Sequence, residues 1–325
     1  MVSRYLGSDL ARLWVDENFS EQDRSRSDAI GTAMVAATRS WLERAEWLDA
    51  ETRALSLNKI DGFTLKLGAP EHYRPVPEGI VSDDLYRSVR GLMLASRAEE
   101  FDGIGTPLPS QYWYGVQPYT VDAANSPDRR ALTITAAVIR GALESNDPAA
   151  WFASAFVVGH EIGHSFDDQG SKFDPDGILQ PWWSEETRER YDAEVAKLKR
   201  QIAAWEPSPG VSMDPEQTIG EAIGDLIGLK LAEHALDTYL AEHPERAGPD
   251  ASGFTAKQRF FLAYAQSFRT VWSPGALEEH IARSYHPPGE FRVNGIVRNL
   301  DGWYEAFDIE PNDPMYLPVE ERVAL

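Results

Sequence analysis

The stretch Val157-Val158-Gly159-His160-Glu161-Ile162-Gly163-His164 ends an apolar run that begins at Trp151, and it contains His-Glu-x-x-His. A helix over this run is apolar on nearly every side and has to be buried, and at 3.6 residues per turn His160 and His164 leave it from one face. Two imidazoles in an apolar interior need partners, and a zinc ion held between them, with Glu161 beside it, is the simplest. The chain has no cysteine, so any further ligand must be histidine or carboxylate. The fold is constrained to bring such a group to this helix.

Composition narrows the partners. With 42% hydrophobic and 26% charged residues the 325-residue chain is ordinary for a soluble globular protein of one or two lobes. Its 31 Lys+Arg against 52 Asp+Glu give −21, which argues against nucleic acid and anionic membranes as partners. The absence of cysteine excludes a disulfide framework, a thiolate metal site and a cysteine nucleophile. Residues 1–6 form no apolar leader, and the longest apolar stretch, 149–158, is too short to cross a bilayer, so a cytoplasmic protein is expected.

Residues 20–48 place Ile30, Met34, Ala37, Trp41, Leu42 and Ala45 at helical spacing, which predicts a long helix. Asp49 is placed to cap a second helix through Leu55, Leu57 and Ile60 that stops near Gly68-Ala69-Pro70, and a third is predicted over 83–101. After a Gly/Pro loop at 102–110 the period changes to two. Residues 112–114, 119–121 and 131–135 read as strands of a small sheet, with a turn at Ser126-Pro127-Asp128. Residues 120–125 are the candidate edge strand for pairing with a substrate backbone. Beyond the histidines come a Gly/Asp loop at 170–177, Trp182-Trp183, a helix capped by Ser184, a Pro-rich linker at 206–215 and an apolar helix at 260–272.

Residues 217–234 predict another helix, on which Glu221 and Asp225 share a face among Ile219, Ile223, Leu226 and Ile227. Carboxylates in such surroundings require a cation or a hydrogen-bond donor, and Gly220, Gly224 and Gly228 permit a close approach by another helix. Further on, His286-Pro287-Pro288-Gly289-Glu290-Phe291-Arg292 can aim an imidazole and a guanidinium into a cleft.

His160-Glu161-x-x-His164 followed by Gly220-Glu221-Ala222-Ile223-Gly224-Asp225 resembles the neprilysin and endothelin-converting-enzyme family of zinc metallopeptidases. The resemblance extends over Trp47-Leu48-Asp49-Ala50-Glu51-Thr52, Asp167-Asp168-Gln169-Gly170, Trp182-Trp183, Phe261-Leu262-Ala263-Tyr264 and the segment from His286 to Arg292. A metzincin pattern does not fit, because Asp167 and Gly170 occupy the places of its glycine and third histidine. The resemblance implies a mainly helical α+β fold, a thermolysin-like zincin catalytic domain with a small sheet and a His-Glu-x-x-His helix. It implies a helical N-terminal segment, 1–102, packed on a catalytic domain, 103–325. It also implies His160, His164 and Glu221 as zinc ligands and Glu161 as general base. Asp225, with Asp167 or Asp168, would orient the ligand histidines. His286 would stabilise the oxyanion, Arg292 would grip a substrate carbonyl, and Phe156, Val157 and Phe268 would line the pocket for the residue after the scissile bond.

The chain also departs from the family pattern. It begins well inside that pattern, so most of the helical lobe that lids the cleft is expected to be missing. The substrate-strand motif Asn-Ala-x-Tyr reads Asp122-Ala123-Ala124-Asn125, and the acidic residue two before the oxyanion histidine is Ser284. Asp122 and Ala123 would contact substrate, although a carboxylate cannot donate to a peptide carbonyl. The expected function is zinc-dependent hydrolysis of peptide or other amide bonds. The alternative is a descendant that keeps the metal without hydrolysis, or acts on a small amide, with a partner chain over the open cleft.

Overall fold

The computed structural model describes residues 2–74, 76–106, 113 and 115–325. Helices α1 (Val2–Tyr5), α2 (Gly7–Asn18), α3 (Glu21–Arg44) and α4 (Ala50–Asp61) lead to strand β1 (Thr64–Gly68), and α5 (Leu85–Asp102) precedes β2 (Ala123–Ser126) and β3 (Ala131–Thr135). The remainder is helical: α6 (Ala136–Glu144), α7 (Pro148–Gly163), α8 (Glu185–Ala203), α9 (Pro215–Glu242), α10 (Ala256–Ser267), α11 (Pro274–Arg283) and α12 (Asp301–Phe307). The sheet order is β1-β3-β2, which leaves β2 at an edge. Mainly helical α+β architecture is what the sequence predicts. Among the described residues no helix is long and apolar enough to cross a membrane.

Local chemistry accounts for the differences from the predicted elements. The second helix ends at Asp61 and not near residue 68, because Thr64 N donates to Arg130 O at 2.7 Å and the alternating Thr64-Leu65-Lys66-Leu67 enters the sheet. Residues 119–121 are not a strand. Thr120 closes a turn on Gln117 O through its N–H (2.9 Å), and its C=O accepts from the Thr135 hydroxyl (2.6 Å), so the groups a ladder would use are already satisfied, and pairing starts at Ala123. Of the strand expected at 112–114 only residue 113 is described, and it lies outside regular structure.

The chain divides into two compact units that interleave along the sequence. One comprises residues 1–28, 66–124 and 133–140; the other comprises 29–65, 125–132 and 141–325. In the first, Ala11 and Val15 of α2, Phe19, Ala69 and Leu92 of α5 are buried together with Ile134 and Ile139. Gly68 sits there at φ +73°, and a Cβ on it would collide with the Phe19 ring.

The second unit is built on α7 against α9, with α10 packed on α7 and α8 on α9. Each of the two central helices starts at an aspartate cap followed by proline: Asp147 accepts from Ala149 N at 3.2 Å, and Asp214 from Glu216 N at 2.9 Å. Beside them Trp41, Trp47, Phe166, Trp183 and Tyr191 form an aromatic cluster, with the Tyr191 hydroxyl donating to Phe166 O at 2.7 Å. Asp49 caps α4 through Thr52 N at 2.8 Å and also accepts from the hydroxyls of Ser184 and Thr187, which ties α4 to α8. Those donors, Ser184 first, hold its carboxyl well below the usual range.

Helices α7 and α9 cross with their backbones in contact. A Cβ on Gly228 would lie 2.6 Å from His160 N, and one on Gly159 2.8 Å from Gly228 O. Gly228→Ala is expected to lower the unfolding free energy by about 1–3 kcal/mol, the range for overpacking, in spite of the ~1 kcal/mol by which alanine favours a helix. Gly248→Ala, whose Cβ would meet nothing within 4 Å, should stay within about 0.5 kcal/mol of wild type. Urea titrations of the two variants test the difference.

Candidate metal centre

His160 lies in the last turn of α7 and His164 caps it, bonding back to His160 O at 3.0 Å. The helical spacing turns both Nε2 atoms to one point, where they are 3.0 Å apart with the rings edge to face. Glu221 of α9 comes to the same point, with Oε2 3.4 Å from His160 Nε2 and Oε1 3.9 Å from His164 Nε2. One ligand atom from each of the three residues lies within 4.8 Å of the others.

The outer side of each ring is also fixed. His164 Nδ1 is 2.7 Å from Asp167 Oδ2, and His160 Nδ1 is 3.0 Å from Asp225 Oδ1, although off the line of a straight hydrogen bond. Carboxylates at both Nδ1 atoms place the ring protons there and leave both Nε2 lone pairs facing inward. Two lone pairs 3.0 Å apart, beside a buried Glu221 Oε2 that makes no hydrogen bond among the described residues, require something positive between them. The donor set, two imidazoles and one carboxylate, fits a borderline-soft divalent ion.

Charge around the rings points the same way. Burial pushes the His160 imidazole down, but Asp225 and Glu221 outweigh it and raise the pKa to about 10. His164 is likewise lowered by burial and raised, on balance, by Asp167. Burial pushes Glu221 up, and His160 and His164 bring it below its ordinary value. The pocket stabilises positive charge, and a metal ion competes there with a proton.

The other predicted residues of this unit gather around the centre. Glu161 follows His160 and is buried, 6% exposed. His286 places Nε2 3.1 Å from Glu221 Oε2 with its side chain half exposed, and burial lowers its pKa. Its N–H donates to Ser284 Oγ at 3.1 Å, so Ser284 shapes the backbone turn at the position where the family pattern has an acid. Arg292 donates twice to Asp225, at 2.7 and 2.6 Å, and stacks its guanidinium 4.8 Å above Phe268. Phe156, Tyr264 and Phe268 meet edge to face next to His160 and form an apolar wall, while Val157 is half-buried on α7. Asp122 and Ala123 belong to the other unit, where the exposed Asp122 carboxylate accepts from Ala123 N at 2.9 Å.

Two residues that touch this machinery do not stand out in the sequence. Asn125 donates from Nδ2 to Glu161 O at 2.6 Å and to Ser165 Oγ at 2.8 Å. In a continuing helix Glu161 O would receive Ser165 N, but that N–H turns to Ile162 O at 2.9 Å, and Asn125 supplies the missing donor. Lys59 is the other. It lies on the buried face of α4 with Thr52, Ser56 and Ile60, and a lysine on an inward stripe is the one signal that singles it out.

Residues 123–323 match peptidase family M13, as do residues 1–70 through that family's second pattern. The chain belongs to peptidase family M13. It is 28% identical to neprilysin-1 of Trittame loki over 95% of its own length and 45% of that protein, and 28% identical to human (Homo sapiens) endothelin-converting enzyme 1 over 96% and 42%. The fold superposes on the Mycobacterium tuberculosis zinc metalloprotease ZMP1, solved with an inhibitor, with a TM-score of 0.87 and 32% identity over 99% of this chain and 50% of that one. PepO of Lactobacillus rhamnosis gives a TM-score of 0.86 at 25% identity, with the same coverage. This M13 chain therefore spans about half the length of the relatives it matches.

Asp225 is fully buried between His160 and Arg292. Burial pushes its carboxyl up, but Arg292 and then His160 hold it down to about 2. With the folded pKa below the unfolded one, the pairing stabilises the fold at neutral pH, and that contribution is lost as pH falls from about 4 through 2. Arg292→Met is expected to cost about 3–5 kcal/mol at pH 7 by taking from a fully buried carboxylate its bidentate partner and leaving it His160 alone. The deficit relative to wild type should shrink as the pH is lowered and Asp225 takes up a proton. Urea unfolding of both proteins across that pH range is the measurement.

Proposed function

We propose that this chain carries the catalytic centre of a zinc-dependent hydrolase of peptide bonds. The observation that carries the reading is the convergence of His160 Nε2, His164 Nε2 and the Glu221 carboxylate, each histidine backed by its own carboxylate. Relatives described as neprilysin, endothelin-converting enzyme and zinc metalloprotease support the metal and the reaction class.

His160, His164 and Glu221 would hold the zinc, with Asp225 and Asp167 fixing the two rings. When bound, zinc supplies a Lewis acid that polarises a carbonyl and lowers the pKa of water. Glu161, buried beside the ligands, acts as general base: it accepts a proton from the attacking water and delivers it to the leaving amine as the C–N bond breaks. His286 reaches the site from the exposed side and donates a hydrogen bond to the oxygen that gains negative charge. Arg292 is anchored by two bonds to Asp225 and keeps further N–H groups for a substrate carbonyl. The wall of Phe156, Tyr264 and Phe268 favours an apolar side chain next to the scissile bond.

The purified chain is expected to bind one zinc. Glu161→Gln should keep the metal and lose hydrolysis of a peptide library by about 10²- to 10⁴-fold. Metal content is read by elemental analysis and cleavage by mass spectrometry. Wild type without zinc after reconstitution, or Glu161→Gln cleaving as fast as wild type, overturns the assignment.

A further inference from the structure

Lys59 is buried to 1% exposure, and its ammonium is met by backbone carbonyls where a carboxylate would be the usual partner. Its Nζ donates to three backbone carbonyls: Ser165 O at 2.9 Å, Gly170 O at 2.9 Å and Phe173 O at 2.7 Å. All three ammonium hydrogens are matched. The rings of Phe166 and Trp182 stand 5.6 and 5.0 Å away and seal the group from water. The three carbonyls come from the single loop that leaves α7 after His164, and the loop closes around the ammonium as it would around a bound cation. Burial pulls the Lys59 pKa down to about 7, while Asp167 and Asp174 oppose it, and three acceptors aimed at one nitrogen favour the protonated form.

The same loop carries the group that orients His164. Asp167 Oδ1 accepts from Gln169 N at 2.8 Å and Gly170 N at 2.6 Å, which leaves Oδ2 for His164 Nδ1 at 2.7 Å. Gly170 is the shared residue: its N–H holds Asp167, and its C=O is held by Lys59. It has no room to shift, because the loop doubles back until a Cβ on Gly170 would overlap His164 O.

We propose that Lys59 is a positioning residue for the metal centre, its ammonium fixing the loop 165–173 and, through Gly170 and Asp167, the orientation of the His164 ring. The inference rests on the reading of His164 as a zinc ligand. Lys59 touches neither metal nor substrate. Its removal would leave the Ser165 and Phe173 carbonyls without a donor and Gly170 O with Phe173 N alone, at 3.1 Å, and the loop would move to satisfy them.

The test is zinc affinity, measured by chelator competition on the full chain for wild type, Lys59→Met, Asp167→Asn and the double variant. Asp167→Asn should weaken zinc by about 10- to 100-fold and Lys59→Met by about tenfold, as losses behind a ligand do. Since Lys59 acts through Asp167, the double variant should bind about as tightly as Asp167→Asn alone. Leu198→Ala, in the fully buried core of α8, should lower the melting temperature without moving zinc affinity, which separates positioning from general loss of stability. Wild-type affinity in Lys59→Met, or losses that multiply in the double variant, overturns the inference. Should Lys59→Met fail to fold, hydrogen exchange of wild type decides: zinc should slow the Gln169 and Gly170 amides, and unchanged rates overturn it. No zinc binding by wild type removes the metal centre and this inference with it, whereas zinc binding that Lys59→Met leaves intact removes the role of Lys59 alone.

Discussion

The approach of α7 to α9 without side chains between them is the constraint on which the rest of the site depends. Gly159 meets Gly228, and Gly163 meets Gly224, with distances from added Cβ atoms to opposing backbone of 2.8–3.1 Å. Only at that separation can a carboxylate on α9 reach imidazoles that leave α7 from the facing side. Gly224 faces the rings directly, and a Cβ there would lie 3.0 Å from His160 Cε1 and 3.2 Å from His164 Cε1. The glycines cost helix propensity, roughly 1 kcal/mol each. Tertiary packing of two nearly all-buried helices outweighs that cost and converts a sequence liability into a fixed arrangement of His160, His164 and Glu221.

Burying this much charge demands that each group be matched, and the matching runs in two directions from the histidines. On one side His160 leads to Asp225 and on to Arg292, whose guanidinium ends against the Phe268 ring. On the other, His164 leads to Asp167, to Gly170 and to Lys59. Each path begins at a histidine ring nitrogen and terminates in a cation that cannot leave, so the negative charge accumulated around the centre is partly compensated at a distance. The compensation stops short of the Nε2 atoms and Glu221, where the residual field favours a positive ion.

Much of this was legible in the chain itself, for identifiable reasons. His160, His164, Glu221 and Asp225 announce themselves because polar groups in apolar helical runs need partners, and helical spacing states which of them share a face. The caps at Asp49 and Ser184 are readable because capping is local. The strand boundaries near 119–126 were not, since Thr120 competes for its own neighbourhood through a side-chain bond that periodicity does not register. Lys59 and Asn125 were missed for a different reason: their partners are backbone carbonyls 106 and 36 residues away, and a carbonyl has no sequence signature. Of the residues through which the sequence traces α4, Ile60 is buried, and it shares that face with Thr52, Ser56 and Lys59, the last of which donates to the loop.

Asn125 shows how a departure from a family pattern can be structural in effect. The tetrad Asp122-Ala123-Ala124-Asn125 stands where an Asn-Ala-x-Tyr strand would present side-chain amide and hydroxyl groups. Asp122 turns its carboxylate onto the next N–H of its own chain, and Asn125 turns its amide inward to the carbonyl of Glu161. Asn125 therefore holds the carbonyl of Glu161 near the end of α7, and it replaces a backbone donor that the helix has lost. On the proposed reading, an extended peptide pairing with β2 would engage the backbone N–H and C=O groups of this edge strand. An edge strand that reads main chain discriminates little among side chains. On the proposed reading, selectivity then resides in the aromatic wall of Phe156, Tyr264 and Phe268.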